Sequence, residues 1–179
     1  MTEIVKKATE VLQNGGLILY PTDTIWGIGC DATNATAVER IYKIKQRDRS
    51  KSMLILIPSG TYTHPLSTAT GRPTTFIVPT YSIGHEIADN LAATDGTIGI
   101  RMPRHRFCES LLEAFGKPIV STSANFSGLP SPASAAEIDP KLKTLVDYCV
   151  PALAEFESGE PHASRIIKIT DNGIVVIRD

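Results

Sequence analysis

Asn14-Gly15-Gly16-Leu17-Ile18-Leu19-Tyr20-Pro21-Thr22-Asp23-Thr24 is the stretch that sets the architecture. The Asn-Gly-Gly triplet stops a helix, because glycine takes up the left-handed backbone that closes a last turn. Leu17 to Tyr20 form an apolar run too short for a helix and suited to a buried strand. A proline and three polar side chains end that strand. Hydroxyls and a carboxylate therefore gather at its carboxyl end, where open α/β sheets commonly hold ligands.

Upstream, Ile4, Ala8, Val11 and Leu12 recur at helical spacing and predict a helix over 2–14. Downstream, Asn34 caps a helix over 35–46, and Met53 to Ile57 read as a second buried strand. Residues 58–73 have the composition of a loop or short helix. Strands follow at Thr75 to Val78, between Pro73 and Pro79, and at Thr97 to Met102. A short amphipathic helix is expected over 106–115. Pro118-Ile119-Val120 then leads, as a strand, into a polar loop, Ser121-Thr122-Ser123-Ala124-Asn125. A helix start near Ser134 and a strand near 146–150 come next. Arg165 to Ile169 and Ile174 to Ile177 pair as a hairpin across Asp171-Asn172-Gly173. Helices alternating with strands, closed by an antiparallel pair, predict a single α/β domain over 1–179 around a twisted, mixed parallel and antiparallel sheet.

The 179 residues are 42% hydrophobic, enough for one sizeable core. Eighteen Lys plus Arg against 19 Asp plus Glu give a net charge of −1, so any polyanion site has to be local. Cys30, Cys108 and Cys149 lie far apart with no paired spacing, which predicts buried free thiols and neither disulfides nor zinc. With no leader pattern and no long apolar span, the chain is expected to be soluble, cytoplasmic and unprocessed, without a membrane partner.

Charge concentrates in Arg40, Lys43, Lys45, Arg47, Arg49 and Lys51, against Asp48 alone. Helical spacing puts Lys45 on the stripe of Val38, Ile41 and Tyr42, which aims a lysine inward, where it needs a partner. Two readings stand: the cluster complements a helix end, or Lys45 and Arg47 neutralise phosphate oxygens. The run Ser121, Thr122, Ser123, Asn125, Ser127 and Gly128 is likewise either a hydroxyl-rich turn with a cap or a cradle for phosphate or carboxylate. The common nucleotide, zinc-protease and serine-hydrolase motifs are missing, and His64, His85, His105 and His162 lack metal-ligand spacing.

Tyr20-Pro21-Thr22-Asp23-Thr24 with Trp26-Gly27-Ile28-Gly29, Lys45-Gln46-Arg47, Gly99-Ile100-Arg101-Met102-Pro103 and Ser121-Thr122-Ser123-Ala124-Asn125-Phe126-Ser127-Gly128 together resemble the YrdC-type threonylcarbamoyl-AMP synthases, in order and spacing along nearly the whole chain. The resemblance implies a twisted α/β fold with a positively charged concave face, in the short form without a C-terminal extension. It implies an enzyme that condenses L-threonine, bicarbonate and ATP, with Mg²⁺ accompanying ATP, to threonylcarbamoyl-AMP and pyrophosphate. The product would go to downstream transfer proteins for tRNA modification.

Residue by residue, Lys45, Arg47, Ser123 and Asn125 match the signature that handles the nucleotide and form the expected catalytic set. Thr97, Ser121 and Arg178 join them around ATP. Thr24, Lys51, Arg101, Ser123 and Ser164 look like the threonine pocket. The chain departs from the pattern where Asp48 and Ser52 replace prolines, where Gly71-Arg72-Pro73-Thr74-Thr75 stands for a tryptophan-containing segment, and where Ala133 replaces a threonine, with Ser134 the available substitute. Two other readings accompany the synthase. In one, the basic face binds double-stranded RNA or tRNA without catalysis, although Trp26 alone makes no stacking platform of the kind single-strand binders use. In the other, a related reaction makes carbamoyl-adenylate from carbamoyl phosphate.

Overall fold

The computed structural model describes residues 1–48, 53–62, 71–156, 162–170 and 173–179. The first helix, α1 (Thr2–Gln13), is followed by Gly15 in the left-handed region, φ 73°, as the Asn-Gly-Gly triplet predicts. Strands β1 (Ile18–Tyr20) and β2 (Gly27–Gly29) pair antiparallel across the Pro21-to-Thr24 turn. Helix α2 (Ala35–Lys45) is capped by Asn34, whose side-chain oxygen accepts from the Ala37 N–H. There follow β3 (Leu54–Leu56), β4 (Thr74–Pro79), β5 (Thr97–Arg101), α3 (Arg106–Phe115) and β6 (Ile119–Ser123). The chain ends with α4 (Pro140–Thr144), β7 (Tyr148–Cys149), β8 (Arg165–Thr170) and β9 (Gly173–Arg178).

Among the described residues, nine strands form one sheet in the order β7-β1-β2-β6-β3-β5-β4-β8-β9. β1/β7, β3/β5 and β4/β8 pair parallel and the other neighbours antiparallel, so the sheet is mixed. On one face, Leu19, Ile28, Ile55, Ile100 and Val120 pack with Ala37, Val38 and Ile41 of α2. On the other, Ile18, Tyr20, Leu56 and Ile119 pack with Val5, Ala8 and Leu12 of α1 and Phe107, Leu111 and Leu112 of α3. Helices α1 and α3 cover only part of that second face, and the uncovered part carries the candidate site.

Four local expectations are corrected. Trp26-Gly27-Ile28-Gly29 contains a strand that the sequence reading lacks, because two glycines in three residues carry little strand preference. Glycine is required there by close approach: a Cβ on Gly29 would strike the Val120 carbonyl and the Tyr20 ring. Ser121 to Ser123 belong to β6 and not to a loop. The helix expected near Ser134 is a single 3₁₀ turn, Ala135–Glu137, and α4 starts later because Asp139 caps it with Pro140 in its first turn. Cys149 is also exposed, on the edge strand β7, whereas Cys30 and Cys108 are buried as expected. The hairpin pairs as β8 and β9, although Asp171 and Asn172 lie outside the described residues. Among the described residues, no helix is long and apolar enough to cross a membrane.

Candidate functional site

Strand alternation builds the site. Ser121 and Ser123 point to the same side of β6 as Ile119, but beyond the reach of α3. They meet Gly27 of β2, Arg101 at the end of β5, and Arg178 at the end of β9 around a cleft of about 210 Å³. Thr24, Arg47, Arg101, Ser121, Ser123, Ser164 and Arg178 all line it, with Ser131 and Trp26. Seven of the residues expected from sequence thus converge from six separate segments.

Arg101 is 4% exposed. Its Nη1 donates to Thr24 Oγ1 at 2.9 Å, its Nη2 to Thr22 Oγ1 at 3.3 Å, and Nη2 lies 3.4 Å from Asp23 Oδ1. Thr22 and Thr24 share a hydroxyl contact at 2.9 Å, and Asp23 Oδ2 accepts the Arg104 N–H at 3.1 Å. A buried guanidinium needs such partners, since an unpaired internal charge is strongly unfavourable. Thr22 and Asp23, to which sequence reasoning gives no role, join the site through their adjacency to Thr24 in one turn.

Arg178 donates from Nε and Nη2 to the Ser164 carbonyl at 3.0 and 2.6 Å. Burial, and secondarily the Arg101 charge, push its pKa below the ordinary value. The Ser164 hydroxyl in turn contacts Thr75 Oγ1 at 2.8 Å. Asp179 sits between Arg72, at 3.3 Å, and Arg165, at 3.1 Å, which pins the end of β9 beside the cleft.

Lys45 is 3% exposed, so the inward lysine exists. It comes from α2 beneath the end of β6 and donates to the Ser123 carbonyl at 2.6 Å, the Asn125 carbonyl at 2.7 Å and Asn125 Oδ1 at 2.7 Å. Desolvation, then the Arg47 charge, lower its pKa to about 8. Asn125 does not line the cleft: its Oδ1 also accepts from the Ser123 hydroxyl at 2.6 Å, and its Nδ2 donates to the Leu129 carbonyl at 2.5 Å. Thr97 opens β5 at the opposite end from Arg101 and donates to Asp95 Oδ1 at 2.6 Å. Lys51 and Ser52 lie outside the described residues. The Ser134 hydroxyl bonds Glu137 at 3.2 Å, and Ser131, not Ser134, reaches the cleft.

Asp23 offsets part of the charge of Arg101, and Arg47 and Arg178 at the cleft, with Lys45 beneath it, add further cations. Guanidinium groups beside hydroxyls suit an oxyanion ligand, carboxylate or phosphate.

The family model Sua5_yciO_yrdC, described as telomere recombination, matches residues 10–179. A protein of Photobacterium profundum named threonylcarbamoyl-AMP synthase is 31% identical over 153 residues, 77% of this chain and 80% of that protein. The crystal structure of E. coli YciO superposes with a TM-score of 0.79 at 27% identity, covering 100% of this chain and 90% of that one. The crystal structure of P. abyssi Sua5 complexed with L-threonine gives a TM-score of 0.81 at 25% identity, covering 97% of this chain and 53% of that longer chain. With a family model matched from residue 10 to the last residue on this fold, the chain belongs to the Sua5, YciO and YrdC family.

Proposed function

We propose that the chain is an L-threonylcarbamoyladenylate synthase, a nucleotidyltransferase acting on L-threonine, bicarbonate and ATP. The observation that carries this reading is the meeting of Arg47, Arg101 and Arg178 with Thr24, Ser121, Ser123 and Ser164 in one cleft. Two anionic reactants, an amino acid and a triphosphate, call for more than one cation, and Arg47, Arg101 and Arg178 all line the cleft. Arg101, with Thr24 beside it, would take the threonine carboxylate, and Ser164 lines the same cleft. Arg47 and Arg178, which line it too, would take phosphate oxygens. Thr97 lies four residues along β5 from Arg101, roughly 13 Å at the usual strand rise, within reach of an extended nucleotide.

In the reaction, the threonine amine and bicarbonate give N-carboxythreonine with loss of water. Its carboxylate oxygen attacks the α-phosphorus of ATP, the bond to the bridging oxygen breaks, and pyrophosphate leaves with that oxygen. A carboxylate nucleophile is already deprotonated, so the attack needs no general base, and catalysis reduces to positioning and charge neutralisation. Mg²⁺ would enter on the phosphates as part of the nucleotide substrate. Threonylcarbamoyl-AMP would then be consumed by proteins that modify tRNA.

Mass spectrometry of the protein incubated with ATP, Mg²⁺, bicarbonate and threonine, with threonine omitted in one arm and carbamoyl phosphate replacing threonine and bicarbonate in another, tests the proposal. The expected result is threonylcarbamoyl-AMP in the full mixture alone. Carbamoyl-adenylate in the third arm would assign the related reaction instead, and absence of any adduct would overturn the enzymatic reading.

A further inference from the structure

We propose that Lys45 is a positioning residue that holds the Ser123-to-Asn125 turn from beneath, and that the phosphate contacts of the basic motif are made by Arg47 alone. The inference rests on the nucleotide-binding part of the proposed function. An ammonium has three N–H bonds. In Lys45 they meet three oxygens at 2.6 to 2.7 Å, all within the turn, and the Ser123 hydroxyl adds a fourth contact at 3.3 Å. Each partner is neutral, so what the ammonium organises is a set of backbone and amide dipoles. A phosphate could bind Nζ only by displacing one of these contacts.

The backbone explains why two cations two residues apart have separate tasks. Lys45 is the last residue of α2 and stays on the face of the helix that packs against the sheet. Gln46 then adopts the left-handed conformation, φ 47°, with its N–H bonded to the Lys43 carbonyl and the Arg47 N–H to the Tyr42 carbonyl. That reversal turns the chain out of the helix before Arg47, which reaches the cleft, while Lys45 does not line it. The turn is gripped from other directions as well: the Ala124 N–H bonds the Trp26 carbonyl, and Asn125 Nδ2 bonds the Leu129 carbonyl. Lys45 grips it from α2. Removing it would free the turn whether or not a nucleotide is present, whereas removing a phosphate ligand would change only the bound state.

Hydrogen exchange of the ligand-free protein separates these roles. In Lys45→Met the amides of residues 124–129 are expected to exchange at least tenfold faster, with β3 and β5 as protected as in the wild type. Arg47→Ala should leave that exchange unchanged while weakening ATP binding. Wild-type exchange of the turn in Lys45→Met together with a tenfold loss of ATP affinity would overturn the proposal. Should Lys45→Met not fold, the ¹⁵Nζ resonance of Lys45 in the wild type decides: it should hold its position on saturation with Mg-ATP, and a shift tracking the titration would mean direct phosphate contact. If wild-type protein binds no ATP, the proposed function fails, while the ligand-free exchange still tests the support of the turn by Lys45.

Discussion

Ile119 and Ser121 are two residues apart on β6 and face the same way, yet one belongs to the fold and the other to the site. Ile119, with Ile18, Tyr20 and Leu56, lies under α1 and α3 and is sealed from water. Ser121 and Ser123 lie past the edge of those helices, beside Gly27 and Arg101. One strand face therefore changes from core to cleft within a single step of its pleat. The covered half can be apolar because helices exclude water from it. The open half has to be polar, and Arg101 and Arg178 are tolerable there because each is placed against oxygens. Stability and ligand binding should then respond to different residues of the same strands.

The largest effect expected is on the covered half. Phe107 is fully buried, with its ring 5.4 Å from Phe156 and 6.5 Å from Tyr20. Phe107→Ala should cost about 3–5 kcal/mol of stability, read from the urea midpoint, with unchanged ATP affinity in the folded fraction. Loss of affinity in protein that remains folded would show that the halves are coupled. The reverse case is Arg47→Ala: a lost charge-assisted contact worth about 1.5–3 kcal/mol should lower turnover at least roughly tenfold, with the urea midpoint unmoved. Near-normal turnover would remove Arg47 from the mechanism.

Within β2 the comparison sharpens to two glycines. A Cβ on Gly29 would meet the Val120 carbonyl and the Tyr20 ring, so Gly29→Ala should destabilise by about 1–3 kcal/mol through overpacking. A Cβ on Gly27 would sit 3.2 Å from the Ser121 hydroxyl at the wall of the cleft, so Gly27→Ala should lose less stability and more ligand affinity. Equal stability losses in the two variants, measured by urea unfolding, would erase the boundary drawn through β2.

Sequence exposed the covered half more fully than the open one, and the reasons are physical. Helix α3 and strand β5 follow from periodicity that one apolar face imposes, and their bounds fall close to those expected. The inward aim of Lys45 was legible for the same reason, since it shares the stripe of Ile41 and Tyr42. Its partners were not, because two of the three are backbone carbonyls, which no side-chain code announces. Strand β2 was hidden because glycine marks the absence of a side chain, and the contact that demands it comes from β6, far along the chain. Asp23 needed the fold as well: its pairing with Arg101 joins residues distant in sequence.

A dependence on pH remains, and in it Lys45 and the buried thiols act with opposite sign. Lys45 titrates at about 8 in the folded chain, against 10.5 for an unperturbed lysine. A base whose folded pKa is lowered binds fewer protons in the folded state between those values. Its contribution to stability is therefore fully present above 10.5 and is lost as pH falls through about 8. Buried Cys30 and Cys108 act the other way. Burial raises both thiols above their unperturbed value of 9.0, so the unfolded chain ionises first and stability falls as pH rises past that point. The difference between wild type and Lys45→Met cancels the thiols, which both proteins share, and that difference should rise from pH 8 to 10.5. ATP affinity should move oppositely. At pH 9 about one Lys45 in ten remains an ammonium able to hold the turn, so affinity should fall roughly tenfold from its value near pH 7. Calorimetric titration with ATP at both pH values measures this. An affinity that stays flat while the stability difference rises would mean that Lys45 is buried as described but does not support the nucleotide site.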